Sequence, residues 1–207
     1  MTPNQITTLL AAQLDQPLEM PLRLMLMERV KNHRARQIKQ ALDKRPSDRK
    51  FFRQSLYMSM QKVLDTTCAP LVACQVARSA VVPRIIRSGP LFDYVGGIDG
   101  NSPFQLGSSG VKGYLEMGRF SEQFPTYEFI DECITVSKAD LPLIRIDGIF
   151  DDPMSVQALN CGAVATDCDN WNTEFPISRD LLQLVIQLII QIDYNRMVKA
   201  DNNQIEV

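Results

Sequence analysis

The chain has 207 residues, of which 45% are hydrophobic and 22% are charged, and its formal net charge at pH 7 is −2. This length and composition suit one compact domain, or a modest domain with a helical extension, and argue against intrinsic disorder. The most apolar stretch, residues 181–192, contains three glutamines and is too short to span a bilayer, and no secretory signal pattern opens the sequence, so we expect a soluble protein.

The charge is unevenly distributed along the sequence. Between Arg23 and Arg53, eleven Lys and Arg residues oppose three acids, which gives a local charge of +8, whereas the remaining residues carry −10. A basic segment on an acidic body suits docking to a negative surface, such as nucleic acid, another protein or an acidic part of a sister subunit. The candidate interface bases are Arg29, Arg34, Arg36, Lys39, Arg45, Arg49 and Arg53.

The first 80 residues are predicted to form a helical N-terminal arm. A short helix is expected at residues 4–15 and a longer one at residues 21–42, where Pro21 suits the first helical position. The apolar stripe of the longer helix leaves Arg34 largely to one side. A third helix is predicted after Ser47, because Phe52, Leu56, Met60 and Val63 repeat at steps of three and four.

Residues 81–150 are predicted to form a small antiparallel β section, because Gly and Pro separate short runs rich in Ile, Val, Phe and Tyr. The glycine-rich run at residues 96–101 is interpreted as a tight turn between strands. Residues 143–150 are predicted to form a strand whose Ile144 and Ile146 face the core, while Arg145 and Asp147 face outward.

The clearest β element is a hairpin at residues 127–136. A two-residue turn at Asp131 and Glu132 would place Phe129 opposite Ile134 on the apolar face. The turn lacks the favoured Asn-Gly or Asp-Gly pair, so a slightly longer loop is the alternative.

The last part of the chain is predicted to contain an irregular loop and a long helix. Residues 151–177 form the loop, and its Trp171, the only tryptophan, is a candidate interface residue because long loops are often functional. The helix spans residues 178–200, with Ser178 as its N-cap, and packs on the rest of the chain. The predicted fold class is therefore α+β.

Apolar side chains cover nearly the whole circumference of this C-terminal helix, and its glutamines form only a narrow polar ridge. A helix that is apolar on all sides must be buried on all sides. Its cover is either the rest of its own chain or a neighbouring subunit, and the sequence leaves both alternatives open. The candidate contact residues are Leu184, Leu188 and Ile192.

Residue patterns that carry chemistry are not found. His33, the only histidine, lies on the apolar side of a predicted helix and is interpreted as a core or interface residue. The five cysteines fit no common zinc spacing and are predicted to be reduced and mostly buried. Acids at residues 147–152 and 167–169 could assemble a hydrolytic site, but acids that cap turns are commoner. We therefore predict no enzyme, no catalytic residues, no cofactor and no metal site.

Six segments spread over most of the chain carry a family resemblance, and none of them contains a catalytic signature. They are residues 34–38, 52–56, 82–86, 94–99, 127–134 and 146–153. In these segments the chain resembles the neck or head-to-tail connector ring (portal-adaptor) proteins of tailed bacteriophages, of the crAss-like type.

This resemblance implies a virion structural protein that is made in the host cytoplasm. Identical subunits, twelve by resemblance, would form a ring in the neck that joins the portal to the tail and contacts further neck proteins. DNA would pass through the lumen without sequence-specific contacts. The alternative function is a nucleic-acid-binding protein that uses the basic segment 23–53.

Overall fold

A computed structural model describes residues 1–64, 75–87, 89–107, 125–137, 141–164 and 169–194, and its fold is mixed α+β, as predicted. The α-helices are α1 (Pro3–Gln13), α2 (Met20–Lys44), α3 (Arg49–Phe52), α4 (Pro153–Val164) and α5 (Arg179–Leu188), with a 3-10 turn at Pro46–Asp48 and a π-helix at Ile189–Tyr194. The strands are β1 (Gln54–Leu64), β2 (Gln75–Val81), β3 (Tyr94–Gly96), β4 (Gln105–Leu106), β5 (Thr126–Ile130), β6 (Cys133–Ser137) and β7 (Leu143–Gly148).

The first two predicted helices are confirmed. Thr2 caps α1 through a capping box with Gln5, and Pro3 occupies the first turn, where its missing N–H costs nothing. Helix α2 extends one residue before and two residues beyond the predicted range. Its buried face includes Arg34 beside Val30 and Ile38, so the prediction that Arg34 lies off the apolar stripe is wrong.

The predicted third helix is wrong. Residues 54–64 form β1, in which Leu56 and Met58 are buried while Ser59 is exposed. Leu56 and Met60 are four residues apart and fit a helix, but Leu56, Met58 and Met60 also alternate at the period of a strand. The segment forms a strand because it pairs with β7 on one side and β2 on the other. The helix before the sheet ends at Phe52.

The seven strands have the order β3-β7-β1-β2-β6-β5-β4. Strand β1 divides its hydrogen bonds, because Gln54–Ser59 pair with β7 and Met60–Leu64 pair with β2. The pairings are antiparallel except for β4 with β5, which is parallel and corrects the prediction of a purely antiparallel section. The two edge strands are short, which limits unwanted pairing with other chains.

The predicted hairpin is confirmed residue by residue. Strands β5 and β6 pair Phe129 with Ile134 and Tyr127 with Val136, and the turn is the two-residue one. Asp131 and Glu132 both have positive φ, 51° and 60°, as a type I′ turn requires. The register places Ile134 and Val136 in the core.

Strand β7 is confirmed, with one correction. Ile144 and Ile146 are buried in the core as predicted. Asp147 does not face solvent, however, since only 2% of it is exposed. Arg145 covers it on the same strand, donating from Nε and Nη2 to the two carboxylate oxygens, each at 2.9 Å. The buried carboxylate of Asp147 is therefore tolerated, because Arg145 neutralises it and satisfies its hydrogen bonds.

The region predicted as an irregular loop contains helix α4. Asp152 caps this helix, since its Oδ1 accepts from Met154 N at 2.9 Å, and Pro153 is the first helical residue. Asn160 on α4 joins the helix to β1, because its Oδ1 accepts from Tyr57 N and its Nδ2 donates to Ser55 O. The prediction of irregular structure is thus wrong for residues 153–164.

Helix α5 begins where predicted, since the Ser178 side chain accepts from Leu181 N. The helix buries Leu182, Val185, Ile186 and Ile189 against α1 and α2, but its opposite side is exposed. The described part of its own chain therefore covers only one side of this helix, and cover of the other side by a neighbouring subunit stays a prediction. The helical structure continues to Tyr194, and residues 195–200 of the predicted range lie outside the described residues, so its full predicted length is not confirmed.

Candidate functional site

Arg34 holds α2 to the segments that follow β7 and precede α5. It is 1% exposed, and it donates from Nη1 to Phe150 O at 3.1 Å and from Nε to Pro176 O at 3.2 Å. The guanidinium also lies 5.9 Å from the Phe175 ring centroid. Burial lowers its pKa to about 10, against the opposing effect of Asp152 and Asp151. The predicted interface residue Arg34 is therefore a structural residue of this chain.

Two further bases of the candidate set bind their own chain. Arg49 forms an ion pair with Asp93 and donates from Nη2 to Pro90 O at 2.7 Å. The Nε of Arg53 lies 3.9 Å from the carboxylate of the buried Asp147. Both contacts attach the segment before β1 to the β3–β7 side of the sheet, so these side chains are at least partly used within the subunit.

The remaining candidate bases are exposed: Arg29, Arg36 and Lys39 on α2, and Arg45 directly after it. Arg36 and Lys39 form one wall of a groove with a volume of about 510 Å³, which we call the basic groove. Residues 82–87 form the opposite wall. The structure thus brings only part of the predicted basic set to one concave site.

The basic groove contains two bases that sequence reasoning missed, Arg84 and Arg87. Both lie in the segment after β2, where Ile86 N donates to Ile149 O and so fixes the segment beside β7. Arg84 lies 3.8 Å from Asp151, which also lines the groove. In the sequence Val-Pro-Arg-Ile-Ile-Arg, residues 82–87, the two bases stand beside apolar residues. Only the fold shows that Arg84 and Arg87 line the same groove as α2.

The acids after β7 have structural roles. The Asp152 carboxylate accepts from Lys31 Nζ at 2.8 Å and from Ser155 Oγ at 2.8 Å. Burial acts to raise the pKa of Asp152, but these hydrogen bonds outweigh it and hold the pKa below its usual value. Burial raises the pKa of Asp151. Asp169 caps a turn by accepting from Trp171 N at 3.0 Å, so capping is confirmed for Asp152 and Asp169, whereas Asp151 forms an ion pair with Arg84 and residue 167 lies outside the described residues.

Trp171 is half-buried and packs within its own chain. Its carbonyl accepts from Asn4 N at 3.2 Å, and its ring packs beside α1, α2 and α5. The guanidinium of Arg23 lies 5.8 Å from the ring centroid. Trp171 therefore attaches the irregular segment to the helices, and its role as an interface residue stays a prediction.

The candidate contact residues on the C-terminal helix occupy its outer side. Leu184 is 41% exposed and Leu188 is half-buried. The backbone of Ile192 lies in the π-helix, and its side chain is outside the described part of the structure. An exposed leucine beside half-buried apolar neighbours is consistent with a surface that contacts another subunit, which stays a prediction.

Metal-ligating residues do not cluster among the described residues, where no group of three or more His, Cys, Asp or Glu could hold an ion. His33 is buried on α2, as expected for a core residue. Cys133 is a buried free thiol, as predicted, but Cys161 is disulfide-bonded, which corrects the prediction of reduced thiols at that position. None of the described helices is long and apolar enough to cross a membrane.

The conspicuous charged side chains hold helices to the sheet, and the basic groove and the outer side of α5 are presented at the surface. The described residues thus form an α+β domain that presents a basic groove and a partly exposed apolar helix face. A family model described as phage tail ring protein 2 matches residues 9–205. The chain therefore belongs to this family of crAss-like phage ring proteins, which confirms the resemblance found in the sequence. A search of curated proteins finds no match.

Family membership defines the general function. The chain is a bacteriophage tail ring protein and hence a component of the virion. A ring is an oligomeric assembly, so the protein acts together with other subunits.

Proposed function

We propose that the chain is the repeating subunit of a ring that joins the portal to the tail, with the genome passing through the lumen. The observation that carries this proposal is the family match, which spans residues 9–205 and so includes both the helices and the sheet. A ring of identical copies needs two different contact surfaces on each copy, because each copy touches one neighbour on either side. The proposal includes twelve copies and neighbouring portal and neck proteins as partners.

The contact surfaces of this proposed ring are drawn from the exposed members of the candidate set. On α2 these are Arg29, Arg36 and Lys39, directly after it Arg45, and on α5 Leu184, beside which the half-buried Leu188 lies one turn further on. Exposed apolar side chains such as Leu184 lose water on contact and so stabilise association, while the bases select an acidic partner surface. Arg34, Arg49 and Arg53 support these surfaces from within the subunit.

A reconstitution experiment tests the proposed ring. The purified chain is mixed with the portal protein of the same phage, and the mass of each species is measured by light scattering and native mass spectrometry. We expect a complex that contains many copies of the chain for each portal ring, with twelve copies as the predicted number. A chain that stays monomeric and does not bind the portal would contradict the proposal.

Nucleic-acid binding through residues 23–53 is the competing function, and salt dependence separates it from ring assembly. Affinity that falls steeply with salt, for many DNA sequences alike, would favour it, because phosphate contacts release counterions. The internal contacts of Arg34 and Arg49 reduce the number of bases that could contact phosphates.

A further inference from the structure

The basic groove offers unpaired positive charge at its rim. Arg36 and Lys39 project from α2, and Arg84 and Arg87 from the facing segment. Among the residues that the structure describes, Arg36, Lys39 and Arg87 form no ion pair, and Arg84 has only the 3.8 Å contact with Asp151. The rim therefore attracts a partner that carries carboxylates or other anions.

The lining of the groove decides which kind of anion fits. Between the bases lie apolar side chains, among them Ile85, Leu91 and Phe129. Two carboxylates, Glu132 and Asp151, also line the groove and would repel the closely spaced phosphates of a nucleic acid. A peptide segment with a few carboxylates and an apolar side chain meets both the basic rim and the apolar lining, so the groove favours protein over nucleic acid.

The chain itself carries a segment of this chemistry at residues 15–24, which comprise the connection from α1 to α2 and the first residues of α2 and which we call the acidic loop. Asp15 and Glu19 are exposed, and Met20 and Leu24 are 59% and 55% exposed although they are large and apolar. The one base in the segment, Arg23, is turned toward the Trp171 ring. The acidic loop thus presents carboxylates and apolar side chains together.

The acidic loop lies at the start of α2 and the basic groove lies along its second half, so they are separate surfaces of one copy. Met20 and Lys39 are about 28 Å apart along α2, at about 1.5 Å per residue. We propose that the acidic loop of one copy docks in the basic groove of the next. Such a contact joins unlike surfaces head to tail and closes into a ring if the rotation between copies allows it. The inference rests on the proposed ring and names the contact between its neighbouring copies.

Charge exchange tests this contact in the full chain. One variant reverses the groove with Arg36→Glu and Arg87→Glu, and a second reverses the loop with Gln16→Lys and Glu19→Lys. Each variant is expected to weaken self-association by about tenfold or more, measured by sedimentation velocity over a range of concentrations. The variant that carries all four substitutions has complementary surfaces again and is expected to regain association.

A matched control separates the groove from net charge. Lys44→Glu with Lys50→Glu makes the same change in charge at two exposed positions that neither line the groove nor belong to the proposed contact residues, and it should leave association unchanged. Equal association of wild type and groove variant would overturn the contact, while the proposed ring would stand. Loss of binding to a double-stranded oligonucleotide in the groove variant, with self-association unchanged, would also overturn it and assign the groove to nucleic acid.

Cysteine cross-linking tests the contact between the acidic loop and the basic groove even if self-association is too weak to measure by sedimentation. Met20→Cys in one preparation and Arg87→Cys in another are expected to give a disulfide-linked dimer when mixed, and neither should do so alone beyond the wild-type background. A chain with both substitutions should form a ladder of linked copies on a non-reducing gel. The absence of a mixed dimer above background would overturn the contact.

Discussion

Arg34 illustrates how a single buried charge can hold several elements together. It contacts the backbone after β7, the backbone before α5 and the ring of Phe175. The sequence could not show this, because Lys and Arg residues are rarely fully buried and a base on an amphipathic helix is expected on the solvent side. Only the positions of Phe150 O and Pro176 O, which tertiary structure determines, explain why the guanidinium is retained there.

Substitution of Arg34 tests this role. Arg34→Ala is expected to lower the free energy of unfolding by about 3 kcal/mol, because it removes packing and leaves two buried carbonyl oxygens without a donor. Urea denaturation measures the change. Arg36→Ala, two residues along the same helix but exposed, should change stability by less than about 0.5 kcal/mol. Similar effects of the two substitutions would contradict the structural role of Arg34.

The bases of the candidate site were only partly predictable, because tertiary structure determines which of them are exposed and which are paired. A local charge of +8 indicated a charged surface, but it could not separate Arg36, which is exposed, from Arg49, which is paired with Asp93. Arg84 and Arg87 lie far from α2 in the sequence and reach the same groove only through the fold. Sequence composition therefore located the helix that carries the site but not the site itself.

Elements with strong local signals were predicted well, and the rest required long-range pairing. Helix α1 and the start of α5 have capping residues, and the β5–β6 hairpin has an alternating pattern that permits one register. Strand β1 was missed because its apolar spacing fits two periods, although Leu56, Met58 and Met60 alternate. Helix α4 had a local signal, Asp152 followed by Pro153, that was not used.

The hairpin turn offers a stabilising substitution at the level of one element. Asp131→Asn with Glu132→Gly is expected to raise the free energy of unfolding by about 1 kcal/mol, since Asn and Gly adopt positive φ more readily than the present pair. The midpoint of urea denaturation measures it. Asp131→Asn with Glu132→Ala removes the same two carboxylates without relieving the backbone strain at residue 132 and should stabilise less than the variant with glycine. Equal stabilisation by Ala and Gly would show that charge, not φ, determines the effect.

At the scale of the whole molecule, the two sides of α5 have different environments: the inner side packs in the core and the outer side is exposed. Leu184 is exposed while Leu182, two residues earlier, is packed against α1 and α2. The helix thus presents one leucine to its own core and another to the surroundings. In the proposed ring, this exposed leucine is a predicted contact with a neighbouring subunit.

Two matched substitutions distinguish these roles. Leu184→Gln should leave the free energy of unfolding within about 1 kcal/mol of wild type but reduce assembly on the portal, because it removes apolar surface only from the outside. Leu182→Gln should instead lower the free energy of unfolding by about 3 kcal/mol. Denaturation and light scattering measure the two effects. Undiminished assembly of the Leu184 variant would exclude this face from the ring contact.

Strand β1 connects the two sides of the sheet. Its first half is hydrogen-bonded to β7 and its second half to β2, so the two sides meet at the peptide backbone of Ser59 and Met60. The orientation of one side relative to the other is therefore determined by the backbone at this one junction, and a change of twist there would move every strand on both sides.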